Sequence, residues 1–447
     1  MSETLKKYLP LCGAVIAGAL LRSGITCAAF SDITRFSRPD TAGYLEMARH
    51  FAEYGNFGNL TGRVPFFPLY CAGFMDLFGD NWMFFTILSL VLISVVTIYL
   101  VWLCAEKFKP GCGNAAAWLF ALNITAIANA PMLLTDTLFG LFAALETWFV
   151  FKFIKSCKIA DFLTAMAIAS LGTLLRPINL LFPFCALFLL FLVDIPWKKR
   201  VITAALTLVI SAGIVTPWMF RNASCRAGFT IDTNTGAMYH QNGSMLLAEV
   251  NNSDFESEKA KLISQMAQEF SDKNRYPDEK SREEYRQKNY RKLVLAHPFI
   301  WLKQQLNFAT LLPDAPTFLE LAGATAPNRG TMGVLAKDGV FAAVKHYFGE
   351  KYYLIFLLLP LLCVSLFTLL GTVWYIGEKV RHFNRESLMT LVLFALLIWY
   401  YLFLPGAISA PRYHIPVLPC ACTFAGCVWL TLRNKIKIFL KNICKKN

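Results

Sequence analysis

Long apolar runs alternate with short, basic breaks along most of this chain. Runs of about 20 residues with few charges match the roughly 30 Å hydrocarbon core of a bilayer. Ten such runs are expected to span it: 9–30, 82–104, 114–130, 136–153, 160–176, 178–194, 201–220, 353–377, 387–405 and 414–432. Several lie near the lower length limit. The first exceeds the h-region of a signal peptide, and no cleavage site follows it, so it reads as a retained span. Two stretches break the pattern. Residues 31–81 form a loop rich in Arg, Asp, Gly and Pro, and 221–352 resemble soluble protein. The second has a charged helical stretch near 255–296 and an amphipathic one from Phe299 to Leu312, opened by Pro298 at its first turn. Trp301 and Phe308 suit a helix on a membrane surface or one packed on the segment's own core. The expected division is a transmembrane module over 1–220 with an outer loop at 31–81, an outer and mainly helical segment at 221–352, and C-terminal transmembrane helices over 353–447. No internal repeat is visible.

Composition agrees with an all-α polytopic membrane protein: 56% of the 447 residues are hydrophobic and 16% charged, against about a quarter charged in soluble chains. The net charge of +14 fixes the expected orientation. With Lys6 and Lys7 inside, the loops at 107–109, 152–158, 198–200 and 379–385 and the tail from Arg433 bring nineteen basic residues to one side, against six acidic ones. Basic residues concentrate in cytoplasmic loops, so both termini are placed in the cytoplasm. Topology and attraction to anionic lipid explain the excess; no basic patch interleaved with aromatics calls for nucleic acid. No phosphate-binding Walker loop, HExxH or zinc-type CxxC pair is present. Most of the thirteen Cys lie in apolar runs, and Cys71 and Cys225 are read as unbridged thiols, with a bridge between them as the alternative.

Chemistry-bearing residues gather at the outer boundary. Arg38-Pro39-Asp40-Thr41-Ala42-Gly43-Tyr44 opens the first loop. Asp40 stands where an N-cap would, and capping is its plainer reading; too many N–H donors would also weaken it as a base. Asp136, in the turn after Pro131, has the same two readings. A carboxylate at a membrane boundary is costly unless solvated or paired, so the two acids form a candidate pair for base and support roles or for a divalent cation. Arg63, Arg176, Arg221 and Arg412 sit at matching depths, followed in the last case by Tyr413 and His414. Singly, each suits a headgroup anchor. Converging, they would clamp a phosphate, because the guanidinium fork matches its oxygens. Arg22, inside the first run, is expected to pair with an acid or to snorkel.

The order Arg-Pro-Asp-x-x-x-Tyr at 38–44, Arg-x-Pro-x-x-Pro at 63–68 and Arg176-Pro177 resembles the GT-C-fold membrane glycosyltransferases. Within them it is similar to the relatives of protein O-mannosyltransferases and lipid A aminoarabinose transferases. Thr216 to Asn222, His297-Pro298 and Ala410 to Pro416 add to the likeness, which covers 1–222 and 407–419. The resemblance implies a GT-C-like fold and a sugar donor carried on a polyprenyl phosphate. It further implies inverting transfer to a glycan, lipid or protein hydroxyl on the outer side of a bacterial inner membrane. It places the base at Asp40, matches Asp136 to a second-loop acid, and puts Arg63, Arg176, Arg412 and Arg221 on the donor phosphate, with Tyr44, Tyr413 and His414 near substrate. Thr41 stands where many relatives have Glu, the Lys-Pro-Pro element of the aminoarabinose transferases is missing, and so is the Trp-Trp-Asp signature of oligosaccharyltransferases. The resemblance fixes no cofactor, and a divalent metal at Asp40 and Asp136 stays open. The rival reading is a transporter or flippase; the unusual charges cluster at the boundary rather than the midplane, unlike a transport path.

Overall fold

The computed structural model describes residues 3–233, 237–306, 308–324, 331–348, 351, 353–407 and 410–444. Among them there are helices and turns and no strand. The first half of the chain forms α1 (Glu3–Ala29), α2 (Pro39–Tyr54), α3 (Phe66–Phe78), α4 (Trp82–Phe108), α5 (Gly113–Ala121), α6 (Ile124–Ala128), α7 (Asp136–Ser156) and α8 (Ile159–Thr173). A 3-10 turn at Pro177–Leu181 leads to α9 (Phe182–Ala186), α10 (Leu189–Leu192) and the long α11 (Trp197–Ser224). The middle segment holds α12 (Ala237–His240), α13 (Asn242–Val250), α14 (Phe255–Glu269), α15 (Glu279–Ala296), α16 (Pro298–Gln305), α17 (Ala315–Leu321) and α18 (Thr331–Phe348). The chain closes with α19 (Leu354–Arg381), α20 (Arg385–Phe394), α21 (Tyr400–Phe403) and α22 (Leu418–Cys444).

Seven helical stretches among the described residues are long and apolar enough to cross a membrane: Tyr8–Ala29, Phe66–Phe108, Asp136–Ser156, Trp197–Ser224, Leu354–Arg381, Arg385–Phe403 and Pro411–Ile438. Three runs expected to span are not in that set. Residues 160–176 and 178–194 fall on the shorter apolar helices Ile159–Thr173 and Pro177–Leu192. Residues 114–130 break at Leu122–Asn123 into α5 and α6. Hydrophobicity reports burial or lipid contact along all three, but not where the helix unwinds. The packed centre joins α7 to α4 and α8, and α22 to α19, α5 and α4, around Phe139, Phe151, Phe153, Phe182, Tyr401 and Phe424, all fully buried.

The break after α5 explains Arg22. Irregular backbone at membrane depth is tolerated only where its polar groups are satisfied inside the protein. Here Asn123 Oδ1 accepts from Ala126 N at 3.1 Å, and Ser365 Oγ accepts from Ile124 N at 3.1 Å. On the other side of the break, Arg22 donates through Nη1 to Ala121 O at 2.9 Å and through Nη2 to Phe120 O at 3.4 Å. Its Nε reaches Ser94 Oγ at 2.8 Å. The guanidinium therefore neither pairs with an acid nor snorkels: it caps the negative end of a broken helix. Arg22→Met is expected to leave those carbonyls bare and destabilise the fold by about 3 kcal/mol. Unfolding temperature in detergent measures this; an unchanged value would show that the cap is dispensable.

The middle segment also differs from its expected layout. The charged stretch is two helices, α14 and α15, parted near Pro277. The amphipathic helix ends at Gln305 instead of Leu312. Trp301 turns inward to Tyr290 and Phe403, while Phe299, Leu302 and Leu306 stay exposed. Cys71 and Cys225 are both free thiols.

Candidate active site

Pro39 occupies the first position of α2, where its missing N–H is harmless and its φ suits a helix. The cap is made by the backbone of Arg38, whose N–H donates to Thr41 Oγ1 at 2.9 Å. Thr41 Oγ1 in turn donates to Leu133 O at 3.0 Å, and Leu133 N donates to Phe36 O at 2.9 Å. This lashes the first loop to the turn that leads into α7. With its cap supplied by Arg38 and Thr41, α2 does not use Asp40 as a cap. Asp40 lies one residue inside the helix, and its carboxylate faces two arginines. Arg63 Nη2 donates to Oδ1 at 3.0 Å, and Arg412 Nη2 donates to Oδ2 at 2.7 Å. Gly43 makes room for this: a Cβ there would stand 3.2 Å from Arg63 Nε. Arg63 lies over the Tyr44 ring, its Cζ 4.8 Å from the centroid, and Tyr44 packs edge-on against Phe67.

Asp136 is not a cap either. It is the first residue of α7, behind Thr135 at the cap position, and is almost fully buried. Its Oδ1 accepts from Arg176 Nη1 at 2.6 Å. Arg176 reaches it from the turn after α8, which is held to the start of α3 by Phe66 N donating to Leu174 O at 3.0 Å.

Tyr413 joins the ion pairs of the two carboxylates. Arg176 Cζ stands 5.4 Å and Arg412 Cζ 5.5 Å from its ring centroid. Asp40, Tyr44, Arg63, Asp136, Arg176, Arg412 and Tyr413 thus share one end of the bundle. Burial alone would raise the Asp40 carboxyl; the charges of Arg63 and then Arg412, with their hydrogen bonds, outweigh it and hold it below its usual value. Among the described residues the buried Arg412 Nε has no hydrogen-bond partner.

Two expected members sit elsewhere. Arg221 donates to Leu60 O at 2.7 Å and Gly58 O at 2.6 Å and lies over Trp218, so it braces the end of the first loop on α11. Buried His414 donates through Nδ1 to Thr310 O at 2.6 Å and anchors the middle segment. Arg38, which opens the first-loop motif, pairs with Glu320, a residue the sequence does not single out, at 3.0 and 2.9 Å between the first loop and α17. Nothing in their local sequence signals this, because the partners are 282 residues apart.

A divalent metal does not fit these groups well. Three arginines face two carboxylates, both already engaged, so the cluster carries net positive charge and suits an anion. Among the described residues no three His, Cys, Asp or Glu side chains gather as a metal site. No step is derived through a metal.

Comparison with known proteins bears on this geometry. Residues 63–220 match the model of the dolichyl-phosphate-mannose-protein mannosyltransferase family, a span that holds Arg63, Asp136 and Arg176 but not Asp40 or Arg412. No curated protein sequence matches the chain. Among solved structures, the archaeal oligosaccharyltransferase AglB from Archaeoglobus fulgidus, in complex with an inhibitory peptide and a dolichol-phosphate, superimposes with TM-score 0.50 at 13% identity, covering 98% of this chain and 52% of that one. The Archaeoglobus fulgidus oligosaccharyltransferase in its apo form gives 0.51 at 14% identity, covering 97% and 53%. ArnT from Cupriavidus metallidurans, bound to undecaprenyl phosphate, gives 0.47 at 14%, covering 95% and 60%. The chain spans about half the length of the oligosaccharyltransferases it matches. It is thus a GT-C-fold membrane protein whose residues 63–220 match the dolichyl-phosphate-mannose-protein mannosyltransferase family.

Proposed function

We propose that this protein is an inverting glycosyltransferase that moves a sugar from a polyprenyl-phosphate donor to an acceptor hydroxyl on the outer side of a bacterial inner membrane. The observation that carries the reading is that Asp40, paired with Arg63 and Arg412, and Asp136, paired with Arg176, meet through Tyr413, with Arg412 Nε unpartnered among the described residues. Guanidinium groups fixed at one end of the bundle suit the charge that develops on a departing lipid phosphate. The family match over 63–220 supports the same donor chemistry. In this reading Arg63, Arg176 and Arg412 hold the phosphate, Asp40 takes the acceptor proton, and Asp136 fixes Arg176. Tyr44 and Tyr413 line the sugar side; Arg221 and His414 act from outside the contact.

The resting geometry adds a condition. A carboxylate gripped by two arginines is a weak base. A donor phosphate competes for the same guanidinium groups, and as they turn to it Asp40 regains basicity. Donor binding would thereby prepare the base before the acceptor hydroxyl arrives.

Proteoliposomes containing the protein, a defined polyprenyl-phosphate hexose and an acceptor extract test both points. Transfer of labelled sugar to a product is expected; flux of the labelled lipid with no covalent product would favour a flippase. Asp40 works as the carboxylate, so activity is full above its pKa and falls as pH drops through it. In kcat/KM for the donor, which reports the free enzyme, the acid limb is expected below the ordinary value of about 3.9. In kcat it is expected at higher pH. Coincident limbs would contradict the coupling.

A further inference from the structure

Ten residues into α7 from Asp136, Glu146 lies at membrane depth, 1% exposed, in a small polar ring. Asn179 Nδ2 donates to Glu146 Oε2 at 3.3 Å and to Ala169 O at 3.1 Å. The second contact fixes the amide, because a backbone carbonyl only accepts. Asn179 Oδ1 therefore faces the Tyr401 hydroxyl, at 2.6 Å. The same hydroxyl lies 3.1 Å from Glu146 Oε1.

The hydrogens can be counted. Two oxygen–oxygen contacts leave the Tyr401 hydroxyl, and each needs one hydrogen. Tyrosine has one, and the amide oxygen has none. The second must sit on Glu146. Among the described residues no Lys, Arg or His is paired with this carboxyl, and an isolated charge at such depth is strongly disfavoured. We infer that Glu146 is a neutral carboxylic acid that closes the ring Glu146–Tyr401–Asn179–Glu146 and positions the arginines of the site.

Its place in the fold gives the ring that role, and this half of the inference rests on the proposed function. Asn179 follows Arg176 by three residues, and its N–H donates to Arg176 O at 3.2 Å. It packs so closely on α8 that a Cβ at Gly172 would come within 2.7 Å of Nδ2. The adjacent Tyr400 hydroxyl bonds Ile178 O, adding a second tie from α21 to the same turn. Phe139 lies between ring and site: it meets Tyr401 edge-on and sits beneath Arg176. The ring therefore fixes, from below, the α7 strut carrying Asp136, the turn carrying Arg176 and the segment leading to Arg412. Glu146 touches no reacting group; it is a positioning residue.

Glu146→Gln offers the same donor and acceptor as the neutral acid, Nε2 to Tyr401 and Oε1 to Asn179. It is expected to unfold at close to the wild-type temperature and to transfer sugar at close to the wild-type rate. Glu146→Ala, or Tyr401→Phe should the first fold poorly, is expected to raise donor KM and lower kcat/KM by roughly 10–100-fold, as a slight misplacement does. Infrared spectra should show the C=O band of a protonated carboxylic acid in the wild type and lose it in Glu146→Gln. Absence of that band, or a Gln variant as impaired as the Ala variant, would overturn the inference. Absence of sugar transfer by the wild type would defeat the functional proposal and the positioning role alone; band and unfolding order would still decide the ring.

Discussion

Asp40→Asn is expected to lower sugar transfer by about 10²–10⁴-fold, the usual contribution of a positioned general base. The amide keeps the shape of the carboxylate but cannot take the acceptor proton. It also weakens the grip on Arg63 and Arg412, each of which gives Asp40 one charge-assisted bond. Because the Asp40 side chain is about 40% exposed, screening by water keeps the structural effect small. α2 retains its own cap through Arg38 and Thr41, so insertion and unfolding temperature should stay close to wild type. A variant that folds and transfers at the wild-type rate would remove Asp40 from the chemistry. Donor KM would be expected to fall or hold, since the arginines become freer to meet the phosphate.

The second large effect concerns the buried pair. Asp136 is 3% exposed and Arg176 19%, with 2.6 Å between them. Removing either partner strands the other charge, which in buried pairs costs about 3–5 kcal/mol. Arg176→Met is therefore expected to give little folded protein. Replacing both members, as Asp136→Leu with Arg176→Met, removes both charges, and such exchanges are often neutral for stability. The double variant should recover folded yield and unfolding temperature yet remain inactive, because one of the two guanidinium groups beside Tyr413 is gone. Recovery of transfer along with stability would show that the pair serves the fold only.

The helical membrane character and the chemical types at the site could be read before any coordinates, because charge at the end of an apolar run is conspicuous. Asp40, Asp136, Arg63, Arg176 and Arg412 all stood out for that reason. Arg221 and His414 looked the same in sequence, and only tertiary contacts separate them: Arg221 meets the carbonyls of Gly58 and Leu60, His414 that of Thr310. The choice between capping and chemistry at the two acids stays open in sequence, which shows which residue is able to cap, not which group arrives first; at α2 the Thr41 hydroxyl does. The helix break at Leu122–Asn123 left no trace in hydropathy. Arg22 reads in sequence as a charge that pairs with an acid or snorkels, when its partners are the carbonyls at the break. Nothing local to Glu146 signals its ring, because its partners lie 33 and 255 residues away.

The central claim is that this cluster transfers sugar from a polyprenyl-phosphate donor. Its most direct measurement is a mass-spectrometric comparison of membrane lipids and glycans from cells carrying the wild-type protein or Asp40→Asn at equal abundance. One polyprenyl-phosphate sugar is expected to accumulate in the variant while one sugar-bearing product disappears. Equal donor and product in the two strains would contradict it.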